Sequence, residues 1–180
     1  MMLQGIQTTR PARRWVLKGF HGPRLRELFD RYPDATVLFI HRDPVQVTAS
    51  RIAMAADLHE GLVGEFDLAD VARAHLAASR AEFAAILANP MVDDPRVLHV
   101  HYRDFMADQV AVVRRYFEFA GHTWTEEGEH AMRRYLAENR GDRYGKFAYS
   151  TDLIGDDVDA LHEEFAPYRE RFGIEIERRG

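Results

Sequence analysis

The chain has 180 residues, 46% of them hydrophobic, with a formal net charge of −5 at pH 7 and no cysteine. That length and apolar share suit one globular domain with a substantial core. Lack of cysteine excludes disulfides, thiolate-held metal and thiol catalysis, and the acidic balance argues against general nucleic-acid binding, which needs a basic face.

No charged-then-apolar leader is visible and no apolar run approaches the roughly 20 residues that cross a bilayer, so a soluble cytoplasmic protein with no membrane partner is expected. In chain order, residues 1–12 read as irregular and residues 14–18 as a strand, followed by a short helix over 23–32. Residues 36–41 form an apolar strand, and a helix runs from Pro44 to about Ala56. Glycines and acids over 61–67 predict a loop, and an alanine-rich helix over 67–87 ends at Asn89 and Pro90. A third strand over 97–102 precedes a helix capped by Asp108, with a Val110, Val113, Phe117 stripe toward the core and Gly121 as its stop. Helices over 125–138 and 156–172 complete the chain. Strands alternating with helices imply an α/β fold with a parallel sheet.

The segment over residues 36–54, TVLFIHRDPVQVTASRIAM, carries the strongest functional signal. Val37, Leu38, Phe39 and Ile40 read as a strand buried on both faces; Asp43 is a good N-cap and Pro44 a good first helical residue. The strand thus passes into a helix within about two residues, the place where α/β proteins bind anions. Here the turn offers the Arg42 guanidinium. Ser50, six residues beyond Pro44, lies roughly 9 Å along the axis, so a ligand touching both must lie along the helix flank. The alternative is that Arg42 pairs with a carboxylate and Ser50 only lets two helices approach.

Lys18 and His21 stand near the end of the first expected strand, in LKGFHG. A histidine near neutral pKa suits general-base work, but the same pair can simply end a strand and open a turn before Pro23. His99 and His101 alternate in their strand and share a face; they would hold zinc only with a third ligand, and no motif supplies one, so no metal is expected. The stretch over 139–149, NRGDRYGKFAY, is basic and glycine-bearing: it can wrap a phosphate or merely turn with its charges solvated.

Taken together, RWVLKGFHGPRLRELFDRYPDATVLFIHRDPVQVTAS, VHYRDFMADQVAVVRRYFEFAG and RYGKFAYS resemble, in order, the middle and C-terminal segments of bacterial sulfotransferases. The resemblance runs from about Arg13 to Phe172. It implies a three-layer P-loop-NTPase-like parallel sheet flanked by helices, as a single domain over residues 1–180. It also implies a role for 3'-phosphoadenosine 5'-phosphosulfate as sulfuryl donor, without metal. By the same resemblance Arg42 and Ser50 bind the donor's 3'-phosphate, Arg143, Gly145 and Lys146 close over that end, His21 is the base, and Lys18 positions or stabilises charge. Three departures accompany the match, one of them Phe147 and Ala148 where the family often has a histidine and an arginine just before the tyrosine. LKGFHG has Gly19 and Phe20 where the family has serine and proline, and the family's opening strand, 5'-phosphosulfate loop and helix have no counterpart in MMLQGIQTTRPA. The expected chain is therefore a sulfotransferase domain truncated at its N-terminus, with apolar surface that promotes self-association or pairing with a complementing chain.

Three readings follow from these residues. The first is a sulfotransferase acting on the hydroxyl or amine of a small-molecule or glycan acceptor. The second is a non-catalytic descendant that still binds the nucleotide. The third is a nucleotide-independent interaction module.

Overall fold

A parallel pair of strands lies at the centre of the computed structural model, which describes residues 14–62, 64–139 and 149–177. Strand β1 (Val37–His41) and strand β2 (Val97–His101) pair in register, Val37 opposite Val97 through His41 opposite His101. Preceding β1 are a 3₁₀ turn (Gly22–Arg24) and helix α1 (Leu25–Arg31). Between the strands come α2 (Pro44–Leu62) and α3 (Leu68–Ala88), then a 3₁₀ turn (Pro90–Asp93). After β2 come α4 (Tyr102–Ala107), α5 (Gln109–Phe119), α6 (Glu126–Glu138), a 3₁₀ turn (Thr151–Ile154), α7 (Val158–Glu164) and α8 (Ala166–Phe172).

Side-chain alternation along the strands builds three layers. Val37, Phe39 and Val97 face the larger core, formed by Leu25 and Phe29 of α1, Val45 and Ile52 of α2, Leu76, Phe83 and Ile86 of α3, and Leu161, Phe165 and Tyr168 near the C-terminus. Leu38, Leu98 and Val100 face a smaller cluster with Phe105 of α4 and Val112, Tyr116 and Phe119 of α5. Local caps set the helix starts. The side chains of Asp67, Asp108 and Thr125 accept from the N–H groups of Ala69, Ala111 and Gly128.

Residues 14–18 form no strand. A strand needs a neighbour for its N–H and C=O groups, and among the described residues only β2 pairs with β1. Trp15, Val16, Leu17 and Phe20 are consequently exposed. For the same reason β1 is half-buried, where its apolar run predicts full burial, and Ile40 is open to solvent. Helix α2 runs on through Gly61 and Leu62, so the expected loop shrinks to the residues before the Asp67 cap. Its outer face carries Met54, Leu58 and Leu62, all exposed and spaced one turn apart. The helix expected over 156–172 is two helices, because Pro167 sits in the first turn of the second. On α5 the residues that reach the core are Val110, Val112, Tyr116 and Phe119; Phe117 packs edge-on against Trp124 instead.

Candidate anion site at the end of the first strand

The turn after β1 forms as its residues dictate. Asp43 Oδ1 accepts from Val45 N–H at 3.0 Å, Pro44 opens α2, and Val47 N–H bonds to the Asp43 carbonyl at 3.0 Å. The Asp43 side chain is fully buried. Arg42 therefore projects from the C-terminal end of the parallel pair, where the next residue of β2's own strand end, Tyr102, lies under its guanidinium, 4.3 Å from the ring centroid.

Arg42 is paired with a carboxylate, and that carboxylate comes from the far end of the chain. Its Nε donates to both oxygens of Glu177 at 3.0 Å, and its Nη2 to Glu177 Oε2 at 2.8 Å. Burial by itself disfavours the cation, but the hydrogen bonding and charge of Glu177 outweigh it and the Arg42 pKa is raised. The main chain of Glu177 is held as well: its N–H donates to Asp43 Oδ2 at 2.9 Å, and its carbonyl accepts from Gln46 Nε2 at 3.0 Å. Gln46 lies one turn before Ser50 on α2. Arg42, Gln46 and Ser50 thus follow one another at four-residue steps along a single flank.

Beside Arg42, His41 is buried in a ring cluster. Its ring stacks on Phe172 at 4.1 Å and lies 5.0 Å from His99. With both imidazoles neutral, one proton order satisfies every contact. His99 Nε2 donates to the Val92 carbonyl at 2.9 Å, so His99 Nδ1 accepts from His41 Nε2 at 2.7 Å. His41 Nδ1 then accepts from the Tyr168 hydroxyl at 2.8 Å. Burial, followed by the charges of His99 and His101, pushes the His41 pKa down to about 3. Burial likewise raises the Tyr168 phenol well above its ordinary range. His101 Nε2 donates to the Phe172 carbonyl at 2.7 Å. The two strand histidines therefore serve the core, and among the described residues no cluster could hold a metal ion.

Lys18 and His21 are both exposed, on the irregular segment before α1. The His21 ring folds back over Gly19: a side-chain carbon at Gly19 would stand 2.6 Å from His21 Nε2. Phe20 lies under the Arg51 guanidinium at 4.4 Å, and Arg51 pairs with Glu82 at 2.6 Å. This contact brings the segment carrying Lys18 and His21 alongside α2, one residue from Ser50. Arg143, Gly145 and Lys146 lie outside the described residues. Tyr149, which follows them, is near enough to act electrostatically on Arg42.

The sequence profile described as the sulfotransferase family matches residues 2–126. The chain belongs to the sulfotransferase family. The crystal structure of sulfotransferase STF9 from Mycobacterium avium is similar to it with a TM-score of 0.80 and 32% identity, over 98% of this chain and 46% of that chain. This sulfotransferase chain thus spans less than half the length of STF9, and its mixed α/β fold is that of the family. No curated protein matches it. Among the described residues no helix is long and apolar enough to cross a membrane.

Around this candidate anion site stand five residues that the sequence did not announce. Glu177 and Tyr102 reach the Arg42 turn from elsewhere in the chain, Gln46 stands in the first turn of the helix that follows it, and the Phe20–Arg51 contact lies further along that helix. The local signal for Gln46 was four-residue spacing between Arg42 and Ser50.

Proposed function

We propose that this chain binds the 3'-phosphate of 3'-phosphoadenosine 5'-phosphosulfate through Arg42 and Ser50 and supports sulfuryl transfer to the hydroxyl or amine of a small-molecule or glycan acceptor. The observation that carries this reading is the position of Arg42. Its guanidinium lies at the C-terminal end of the parallel strands, beside the helix that bears Ser50 on the same flank, where open α/β sheets take their ligands. Arg143, Gly145 and Lys146 would add donors at that phosphate.

In the reaction the acceptor oxygen or nitrogen attacks sulfur in line as the bond from sulfur to the 5'-phosphate oxygen breaks. The electron pair leaves with 3'-phosphoadenosine 5'-phosphate. His21 takes the acceptor proton and Lys18 offsets charge on the leaving phosphate. We place the whole chain in one domain, working in the cytoplasm, with self-association or a complementing chain covering the exposed face of α2.

A second reading has its own observation. Both Lys18 and His21 are exposed rather than enclosed, and enclosure is what makes such groups effective in transfer chemistry. That favours a descendant that binds the nucleotide without turning it over.

Calorimetric titration tests the nucleotide site. The chain is titrated with 3'-phosphoadenosine 5'-phosphate and with adenosine 5'-phosphate, and the first titration is repeated on Arg42→Ala. Binding should require the 3'-phosphate, and losing Arg42 should weaken it by about 1.5–3 kcal/mol, or roughly one to two decades. Equal affinity for the two nucleotides would overturn the assignment. Turnover of the donor with an acceptor panel then separates the enzyme from the binding descendant.

A further inference from the structure

Arginine carries five N–H donors on a planar fork, and a free arginine must give up many rotamers before it can grip an anion. Arg42 has already done so. Glu177 occupies Nε and one edge of Nη2, and the Tyr102 ring covers a face. The side chain is only 12% exposed. Nη1, which has no hydrogen-bond partner among the described residues, is the edge left for a ligand.

The grip on Arg42 does not depend on Arg42 alone. Glu177 is fastened through its own main chain to Asp43 and Gln46, two buried side chains of the element that carries Arg42. Further back along this strap His101 holds the Phe172 carbonyl, and Ile174 packs against the larger core. A carboxylate held only by the guanidinium would be a loose competitor for it. One delivered by a strap with two main-chain anchors on buried groups is held independently of the guanidinium.

We propose that Glu177 is the positioning residue for Arg42: it fixes the guanidinium side-on so that the Nη1 edge meets the nucleotide's 3'-phosphate already oriented. This rests on the reading of Arg42 as a phosphate ligand. A carboxylate that orients a binding group from behind lowers the ordering cost of binding, as outer-shell partners do at metal sites. It also explains why a residue so distant in sequence is built into this turn.

The test is titration of the full chain and its Glu177→Ala and Glu177→Gln variants with 3'-phosphoadenosine 5'-phosphate and adenosine 5'-phosphate. Each substitution is also made in an Arg42→Ala background. Affinity for the 3'-phosphorylated nucleotide should fall roughly three- to tenfold in Glu177→Ala and less in Glu177→Gln, which keeps the side-chain length and one acceptor. Affinity for adenosine 5'-phosphate should not change, and Glu177→Ala should have no effect once Arg42 is gone. A merely structural role would weaken both nucleotides alike. Unchanged or tighter binding by both variants, in a wild type whose binding needs Arg42, would overturn this inference alone and make Glu177 a competitor. If the wild type binds neither nucleotide, or binds without need of Arg42, the phosphate reading fails and this inference goes with it.

Discussion

His41 should make the protein lose stability on mild acidification, well before its carboxylate pairs are protonated. Unfolded, its imidazole takes up a proton near the ordinary value of 6.5; folded, it resists protonation down to about 3. A proton on Nδ1 would displace the Tyr168 hydroxyl bond and put a cation among Phe39, Phe172 and His99. The folded pKa is depressed, so the stabilisation is complete above pH 6.5 and is lost as pH falls from there toward 3. Below about pH 6 the slope for one proton is about 1.4 kcal/mol per pH unit, which amounts to about 2 kcal/mol between pH 8 and pH 5. Against a total stability of roughly 5–15 kcal/mol that is readily measured.

Urea unfolding at pH 8, 6.5 and 5 supplies the assay, comparing the wild type with His41→Phe and with His41→Phe/Tyr168→Phe. The second variant removes the phenol donor that the first leaves without its acceptor. Both variants should be less stable at pH 8, yet lose about 2 kcal/mol less than the wild type on going to pH 5. If the wild type and both variants lose stability in parallel, His41 is protonated inside the fold and the proton order argued for the Tyr168–His41–His99 chain is wrong.

Two further outcomes are expected. Gly22 is buried, and a methyl group there would stand 2.9 Å from both Ile86 Cγ1 and Phe39 Cζ, so Gly22→Ala should cost about 1–3 kcal/mol through overpacking, read as a lower urea midpoint; an unchanged midpoint would show that the two side chains give way freely. Met54, Leu58 and Leu62 form an exposed apolar stripe on α2, so the chain should self-associate in sedimentation velocity across a concentration series, and Leu58→Lys/Leu62→Lys should weaken that association about tenfold or more; a wild type that stays monomeric throughout would remove the stripe as a contact surface.

Sequence legibility followed the range of the interaction. The Asp43–Pro44 helix start, the Asp108 cap and the helix starts at residues 67 and 125 were readable because each cap involves residues two or three positions apart. The central strand was readable from its apolar run, but its degree of burial was not, since that depends on how many strands lie beside it. Residues 14–18 have the composition of a strand and no described strand to pair with, which local pattern could not reveal. Pro167 did mark the break between α7 and α8, a signal outweighed by the helical spacing around it. At the site, Arg42 and Ser50 stood out through their place in the turn. Glu177 has no local signature at all: an acidic residue in GIEIE looks solvated until the fold lays it against the turn.

The Arg42–Glu177 contact joins residues 135 positions apart. Closing so long a loop carries a large entropic cost that local structure does nothing to reduce, so this contact forms after the strand pair and its helices have already narrowed the search. During synthesis β1 and α2 leave the ribosome long before Glu177, the partner of Arg42, exists. Ordering of the Arg42 guanidinium therefore waits on a residue made 135 positions after it, later than the strand pair that carries it.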